Sequence, residues 1–260
     1  MRKLFFVLIF IATSHAQDTL KLKEVVIKSP LVLSEESSLP LSINSWSTNG
    51  HFRSIEQELN TVPGVWLTNT INAAQDYRIA IRGFGSRASF GVRGIRILLD
   101  GIPQTTPDGQ SQIDHLPLHL IRQSEVVRGP AGSRHGNAAG GVISFFTIDS
   151  STDKVSIRLQ RGSFGLLNSD ATINQNLSDH SSIIGSLNYQ KIDGFRNHAG
   201  FENKSAFVKL NLQKNKVEHA ISILHFDSPY AFDPGGLTID EVSLGRSQAR
   251  QKNETYAAGE

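Results

Sequence analysis

The chain contains no cysteine, and of its 260 residues only 19% are charged and 38% hydrophobic. Without a thiol there is no disulfide scaffold, no cysteine-ligated zinc or iron–sulfur centre, and no lipid-modified N-terminal cysteine. After the first block no apolar run approaches the about 20 residues of a spanning helix, so a passage through a bilayer would have to be made by strands. Charge of one sign is also lacking. The formal net charge of +2 equals Arg2 plus Lys3, which leaves the body neutral. A neutral body with its basic residues gathered in one region argues against nucleic acid as a partner. Few apolar residues beside 22 glycines and 14 phenylalanines suit a chain rich in strands, with partly polar buried surfaces.

The first block reads as an address. Met1-Arg2-Lys3 precedes the apolar run Leu4 to Ala12, and small residues at Ser14 and Ala16 predict a signal peptide over residues 1–16, cleaved after Ala16. Residues 17–40 form an arm and linker. Leu20 and Leu22 alternate, and Val25-Val26-Ile27 is β-branched, which favours extended backbone. Pro30, Pro40 and the serines between them read as a flexible connection. Such an arm suits addition to the edge of a partner's sheet, or forms the first strand of the next domain.

Residues 41–149 read as a compact α+β domain. Ser54-Ile55-Glu56-Gln57 is a capping box that opens a short helix through Leu59, stopped before Pro63-Gly64. Strands are expected at Val65–Leu67, Arg78–Gly83, Arg96–Leu99, Ser124–Arg128 and Gly141–Thr147, with a helical turn from Pro117 to about Arg122. Between Asp76 and Asp100 there is no acid, yet Arg78, Arg82, Arg87, Arg93 and Arg96 fall there. Guanidinium forks match carboxylate and phosphate, so an anionic ligand is one reading of this stretch, and ion pairing with acids elsewhere is the other. Arg78 and Arg82, on a strand, are expected to pair internally. Arg87 and Arg93, on a glycine-flanked loop beside Phe84 and Phe90, are expected to meet ligand.

Several catalytic patterns fail. Gly83-Phe84-Gly85-Ser86-Arg87-Ala88 imitates a dinucleotide loop, but no helix start follows and the next strand arrives too soon for a parallel crossover. Gly129 to Gly136 lacks a phosphate-loop lysine. His115 and His119 have helical spacing, but Pro117 lies between them and no glutamate follows His115, so they are ordinary polar or core histidines. No serine stands in a nucleophile elbow. The expectation is a protein that is not an enzyme and needs no cofactor.

From Lys154 helix signals give way to alternation. Val155-Ile157-Leu159, Ala171–Leu177, Ser181–Lys191, Phe207–Gln213 and Val217–Phe226 predict strands of about ten residues with one apolar and one polar face. Short turns follow Leu177 and Gln213, whereas Asp193–Ser205 and Ser228–Arg250 read as long polar loops. Short turns at one end and long loops at the other are the pattern of outer-membrane barrels; a soluble sandwich is the alternative. Residues 150–260 are therefore expected to be the N-terminal strands of a barrel, truncated at Glu260.

Taken in order, these segments resemble the N-terminal part of a TonB-dependent outer-membrane receptor. Leu59-Asn60-Thr61-Val62-Pro63-Gly64-Val65, Ile81-Arg82-Gly83, Leu98-Leu99-Asp100-Gly101-Ile102-Pro103, Glu125-Val126-Val127-Arg128-Gly129-Pro130 and Ala138-Ala139-Gly140-Gly141-Val142-Ile143 are similar to successive motifs of that family's plug domain. The stretch Asp18, Thr19, Leu20, Leu22, Glu24, Val25, Val26 and Ile27 resembles the TonB box. The resemblance implies a plug inside a transmembrane barrel of about 22 strands, in the outer membrane of a Gram-negative bacterium. It also implies uptake of an iron chelate powered by TonB with its ExbB/ExbD complex. Cobalamin or another metal chelate, a protein ligand, or a purely structural or adhesive barrel are the alternatives. Arg82 and Arg128 fall on plug arginines that pair with barrel glutamates in the family. The arginine loop with Gln104 and Gln110 leans toward receptors of the ferric dicitrate type, which makes Arg87, Arg93, Phe84, Phe90, Gln104 and Gln110 the ligand-binding candidates. The short arm leaves no room for a periplasmic signalling domain.

Overall fold

The computed structural model describes residues 42–47, 55–68, 72–88, 91–129, 135–148, 154–215 and 217–255. The expected signal peptide, the arm with its TonB-box residues, and Phe90 lie outside these.

The α+β domain is built on a five-stranded sheet. Strand β1 (Ser42–Ser47) is its edge and pairs antiparallel with β8 (Ile121–Arg128), which pairs with β9 (Gly141–Thr147). Next comes β5 (Ile95–Leu99), parallel to β9, and then the short β6 (Ile102–Pro103). Helix α1 (Ile55–Leu59) precedes a small ribbon of β2 (Val65–Thr68) and β3 (Arg78–Ile81). A second ribbon joins β4 (Val92–Arg93) to β7 (Gln110–Ser111). The alternation read in β3 holds: Ile79 and Ile81 are buried and join Leu59, Val65, Ile95, Ile97, Val126, Ile143 and Phe145 in one apolar core.

Two local expectations change. The turn after Pro117 is a 3-10 turn over Leu118–Leu120 only, because Ile121 already pairs with Thr147 and is taken into β8. The short β1, β4, β6 and β7 also sit where no strand was expected; they are polar or Gly/Pro-flanked, and only pairing makes them strands.

The second part is an antiparallel meander of β10 (Lys154–Arg161), β11 (Leu167–Ser178), β12 (Ser181–Ile192), β13 (Phe201–Lys214) and β14 (Val217–Ala231). It is not closed on itself. β13 and β14 run 14 and 15 residues, longer than expected, and the polar stretch from Phe201 to Ser205 is strand rather than loop. Its pairing with Ile192 to Asn188 holds it, where apolar alternation gives no signal. Helix signals also do not vanish after Lys154. Helix α2 (Ile239–Leu244) carries a complete capping box of Thr238 and Glu241, and α3 (Gln251–Thr255) follows.

The meander's two faces are opposite in character. Val155, Ile157 and Leu159 are 72, 74 and 76% exposed on one face, whereas Asn168, Asp170, Thr172, Asn174, Ser182 and Ser186 are buried on the other. The polar face is covered because the α+β domain lies against it.

Candidate functional site

The chemistry of this chain is concentrated where the α+β domain meets the meander. The first contact is built by the turn between β5 and β6. Asp100 and Gly101 both have positive φ, at 50° and 82°, the backbone of a tight hairpin turn that Asp-Gly adopts readily. That turn aims the Asp100 carboxylate at the end of β9, where it accepts from Thr147 N at 2.9 Å and Thr147 Oγ1 at 2.7 Å. Lys209 Nζ, on β13 of the meander, donates to the same carboxylate at 2.9 Å and to Thr147 Oγ1 at 3.1 Å.

A second contact lies nearby. His119, in the 3-10 turn, shares a hydrogen bond of 2.7 Å with Ser186 Oγ on β12, and Ser186 reaches Thr172 on β11 at 3.2 Å. Burial, reinforced by the Arg158 charge, pushes the imidazole pKa down to about 4, so His119 is neutral at physiological pH. Beside it Arg158 Nε stands 3.5 Å from the buried Asp170 carboxylate.

At the end of the meander away from the tight turns, the two parts meet again. Asp233 follows β14 and accepts from Asn72 Nδ2 at 2.9 Å, Gln75 Nε2 at 3.2 Å and Gly235 N at 2.8 Å. Partial burial raises this carboxyl, but the hydrogen bonds and the Arg196 charge outweigh it and hold the pKa below the ordinary 3.8. Arg196 orders the loop by donating to the carbonyls of Pro234, Gly235 and Gln248. Gln112 Nε2 donates to Asp76 at 3.3 Å, which ties two loops of the α+β domain together on this side.

The arginine stretch resolves residue by residue. Arg78 donates to the Ala88 carbonyl rather than to an acid. Arg82 is exposed, in a turn with φ 49° beyond the end of β3, and Arg87 is exposed as well. Arg93 donates to Gln110 Oε1 at 2.9 Å and stands 3.9 Å from Asp108. Two ligand candidates, Arg93 and Gln110, are thus brought together with an acid between them. The hydrogen bond from Thr106 and the backbone of Gln110, with the Arg93 charge adding, keep Asp108 below its usual pKa. Gln104 meets His115 Nε2 at 3.4 Å, and Phe84 is exposed. Arg128 is buried and donates to the Pro63 carbonyl. The residues that sequence reading passed over are Asn72, Gln75, Lys209, Asp233 and the bonding role of Asp100 and His119. Among the described residues no group of three or more His, Asp or Glu is placed to hold a metal.

Comparisons with known proteins agree with this fold. Residues 48–142 match the model of the TonB-dependent receptor plug domain. The chain is 23% identical over 194 residues to the vitamin B12 transporter BtuB of Vibrio vulnificus, covering 71% of this chain and 31% of that protein. It is 29% identical over 136 residues to a hemin receptor of Yersinia enterocolitica, covering 52% of this chain and 18% of that protein. The solved structure of the unliganded ferric citrate transporter FecA shares the fold, with a TM-score of 0.66 at 19% identity over 80% of this chain and 34% of that one. The chain therefore spans about a third or less of the length of these relatives.

Proposed function

Since the chain carries the plug domain of the TonB-dependent receptors followed by strands of their barrel, we propose that it is the N-terminal part of an outer-membrane receptor for active uptake of an iron chelate. The observation that carries this reading is the polar seam. The wall buries hydrophilic side chains under the plug and turns Val155, Ile157 and Leu159 outward, the inverse of a soluble sheet, as a strand between lipid and a filled lumen requires.

In this reading residues 1–16 direct export, and the segment from Asp18 to Ile27 pairs with TonB, energised by ExbB/ExbD at the inner membrane. The protein resides in the outer membrane of a Gram-negative bacterium, with lipid against the apolar face of the wall. Arg82 and Arg128 face glutamates of later barrel strands. An anionic ferric chelate engages Arg87 and Arg93 with Phe84, Phe90, Gln104 and Gln110, exchanging the Asp108 carboxylate on Arg93 for its own. A corrinoid ligand is the second reading, favoured by the Vibrio vulnificus relative, which matches 71% of the chain.

The test is deletion of residues 18–27 from the complete protein. Energy-dependent uptake of radiolabelled ferric citrate, heme and cobalamin should each be assayed. Loss of uptake of one of them with its surface binding retained is expected; uptake unchanged by the deletion refutes the transporter reading. Charge reversal at Arg87 and Arg93 should weaken ferric-chelate binding in calorimetry, and unchanged affinity removes both from the site.

A further inference from the structure

We propose that Asp108 is a built-in competitor for Arg93, one that an anionic ligand must displace to enter the site. The inference rests on the reading of Arg93 and Gln110 as ligand residues. Strands β4 and β7 place Arg93 directly opposite Gln110, whose Oε1 accepts from Arg93 Nη2 at 2.9 Å. The same Nη2 stands 3.9 Å from Asp108 Oδ2, outside hydrogen-bond reach but close enough for an ion pair. Both side chains are more than half exposed, at 56% and 59%, so an incoming anion can reach them.

Asp108 competes because it is held in place. Its other oxygen, Oδ1, accepts from Thr106 Oγ1 and from Gln110 N at 3.3 Å. The turn Thr106-Pro107-Asp108-Gly109 is closed by Gly109 N donating to the Thr106 carbonyl at 2.9 Å and by Thr106 N donating to the Gln110 carbonyl at 2.8 Å. Pro107 restricts its own φ. Gly109, at φ 83°, lies so near the Asn137 amide that a side chain there would strike it. These bonds also keep the Asp108 carboxyl below its ordinary pKa, so it stands beside Arg93 as a fixed anion. With Oδ1 taken up by the turn, it offers the guanidinium one oxygen, and that oxygen falls short of a hydrogen bond. A free carboxylate can bond the same fork through two parallel N–H donors and displace it. Asp108 therefore keeps Arg93 partnered until a ligand with stronger acceptors arrives.

The test is a double-mutant cycle on the complete protein in detergent, titrated by calorimetry with two carboxylate-bearing probes, ferric citrate and heme. The wild type is compared with Asp108→Asn, Arg93→Gln and the double variant. Asp108→Asn removes the charge and keeps an oxygen for Thr106 and Gln110. It should tighten binding of the accepted probe by roughly fivefold, what an exposed ion pair is worth. Arg93→Gln should weaken binding. Adding Asp108→Asn to Arg93→Gln should bring no gain, because nothing is left to compete for. Arg93→Gln weakened but Asp108→Asn no tighter than the wild type overturns the competitor and leaves Arg93 in the site. A fivefold gain that persists in the double variant also overturns it, since the effect is then plain repulsion. Arg93→Gln binding as tightly as the wild type, or neither probe bound by wild type or Asp108→Asn, overturns the anion-site reading and the competitor with it.

Discussion

The plug and the wall solve the burial problem in opposite ways. In the plug, what is buried is Ile79, Ile97, Val126, Ile143 and Phe145. In the wall, what is buried is mostly polar, Asn168, Asp170, Thr172, Asn174 and Ser186, with Ile184 and Phe207 the large apolar exceptions, and Val155, Ile157, Leu159, Leu187 and Ile223 face away. The plug is an ordinary small domain whose stability comes from apolar surface withdrawn from water. The wall withdraws little of its own apolar surface; its strands are held by their ladder and by whatever lies against each face. The difference teaches that low overall hydrophobicity here reflects an inverted sheet rather than a weak fold.

Four substitutions test that contrast, in decreasing order of expected effect. Phe145→Ala, in the plug core, should cost about 3–5 kcal/mol in chemical denaturation of the complete protein. A smaller loss would mean the plug leans on the wall rather than on its own core. Ile157→Lys, on the outward face of β10, should cost about 2–4 kcal/mol in folding into lipid vesicles. An unaffected folding equilibrium would show that this face does not meet lipid.

The third concerns pH. His119 has its folded-state pKa lowered from 6.5 to about 4, so the unfolded chain takes up the proton first. The stability tied to its neutral form is full above 6.5 and drains as pH falls through about 4, a loss of up to roughly 3 kcal/mol. His119→Leu should flatten the acid limb of a stability–pH curve measured by denaturant titration. The fourth, Arg93→Ala, should leave the unfolding midpoint unmoved, since the pair with Asp108 is solvent-exposed. Carbon-detected NMR titration should show the Asp108 carboxyl rising only slightly, because Thr106 and Gln110 hold it more firmly than Arg93 does.

Legibility in the sequence follows from where each signal resides. Alternation placed Ile79 and Ile81 inward, and it turned Val155, Ile157 and Leu159 to one face, because period two is a property of neighbouring residues. The same rule aims Lys209 inward between Val208 and Leu210. It cannot find the partner, Asp100, which lies 109 positions away and is joined only by the packing of plug on wall. The polar start of β13 was hidden for a related reason: Glu202, Asn203, Lys204 and Ser205 have no apolar face, and only their register with β12 makes them strand. Helix α2 was legible in Thr238 and Glu241, a signal that strand periodicity passes over. The arginines were visible as a charge imbalance, but which carbonyl or acid each would meet depends on turns at Gly83, Gly85 and Gly94 with positive φ.

The seam between plug and wall is made mostly of hydroxyls, amides, an imidazole and single charges, with Ile184 and Phe207 as its apolar members. Each neutral bond of this kind nets only about 0.5–1.5 kcal/mol, and one to a charged group about 1.5–3 kcal/mol, because water offers a replacement. A plug drawn along this surface would uncover little greasy area, chiefly Ile184 and Phe207. On the proposed reading of the chain as part of a receptor, water replaces each polar bond that a moving plug gives up.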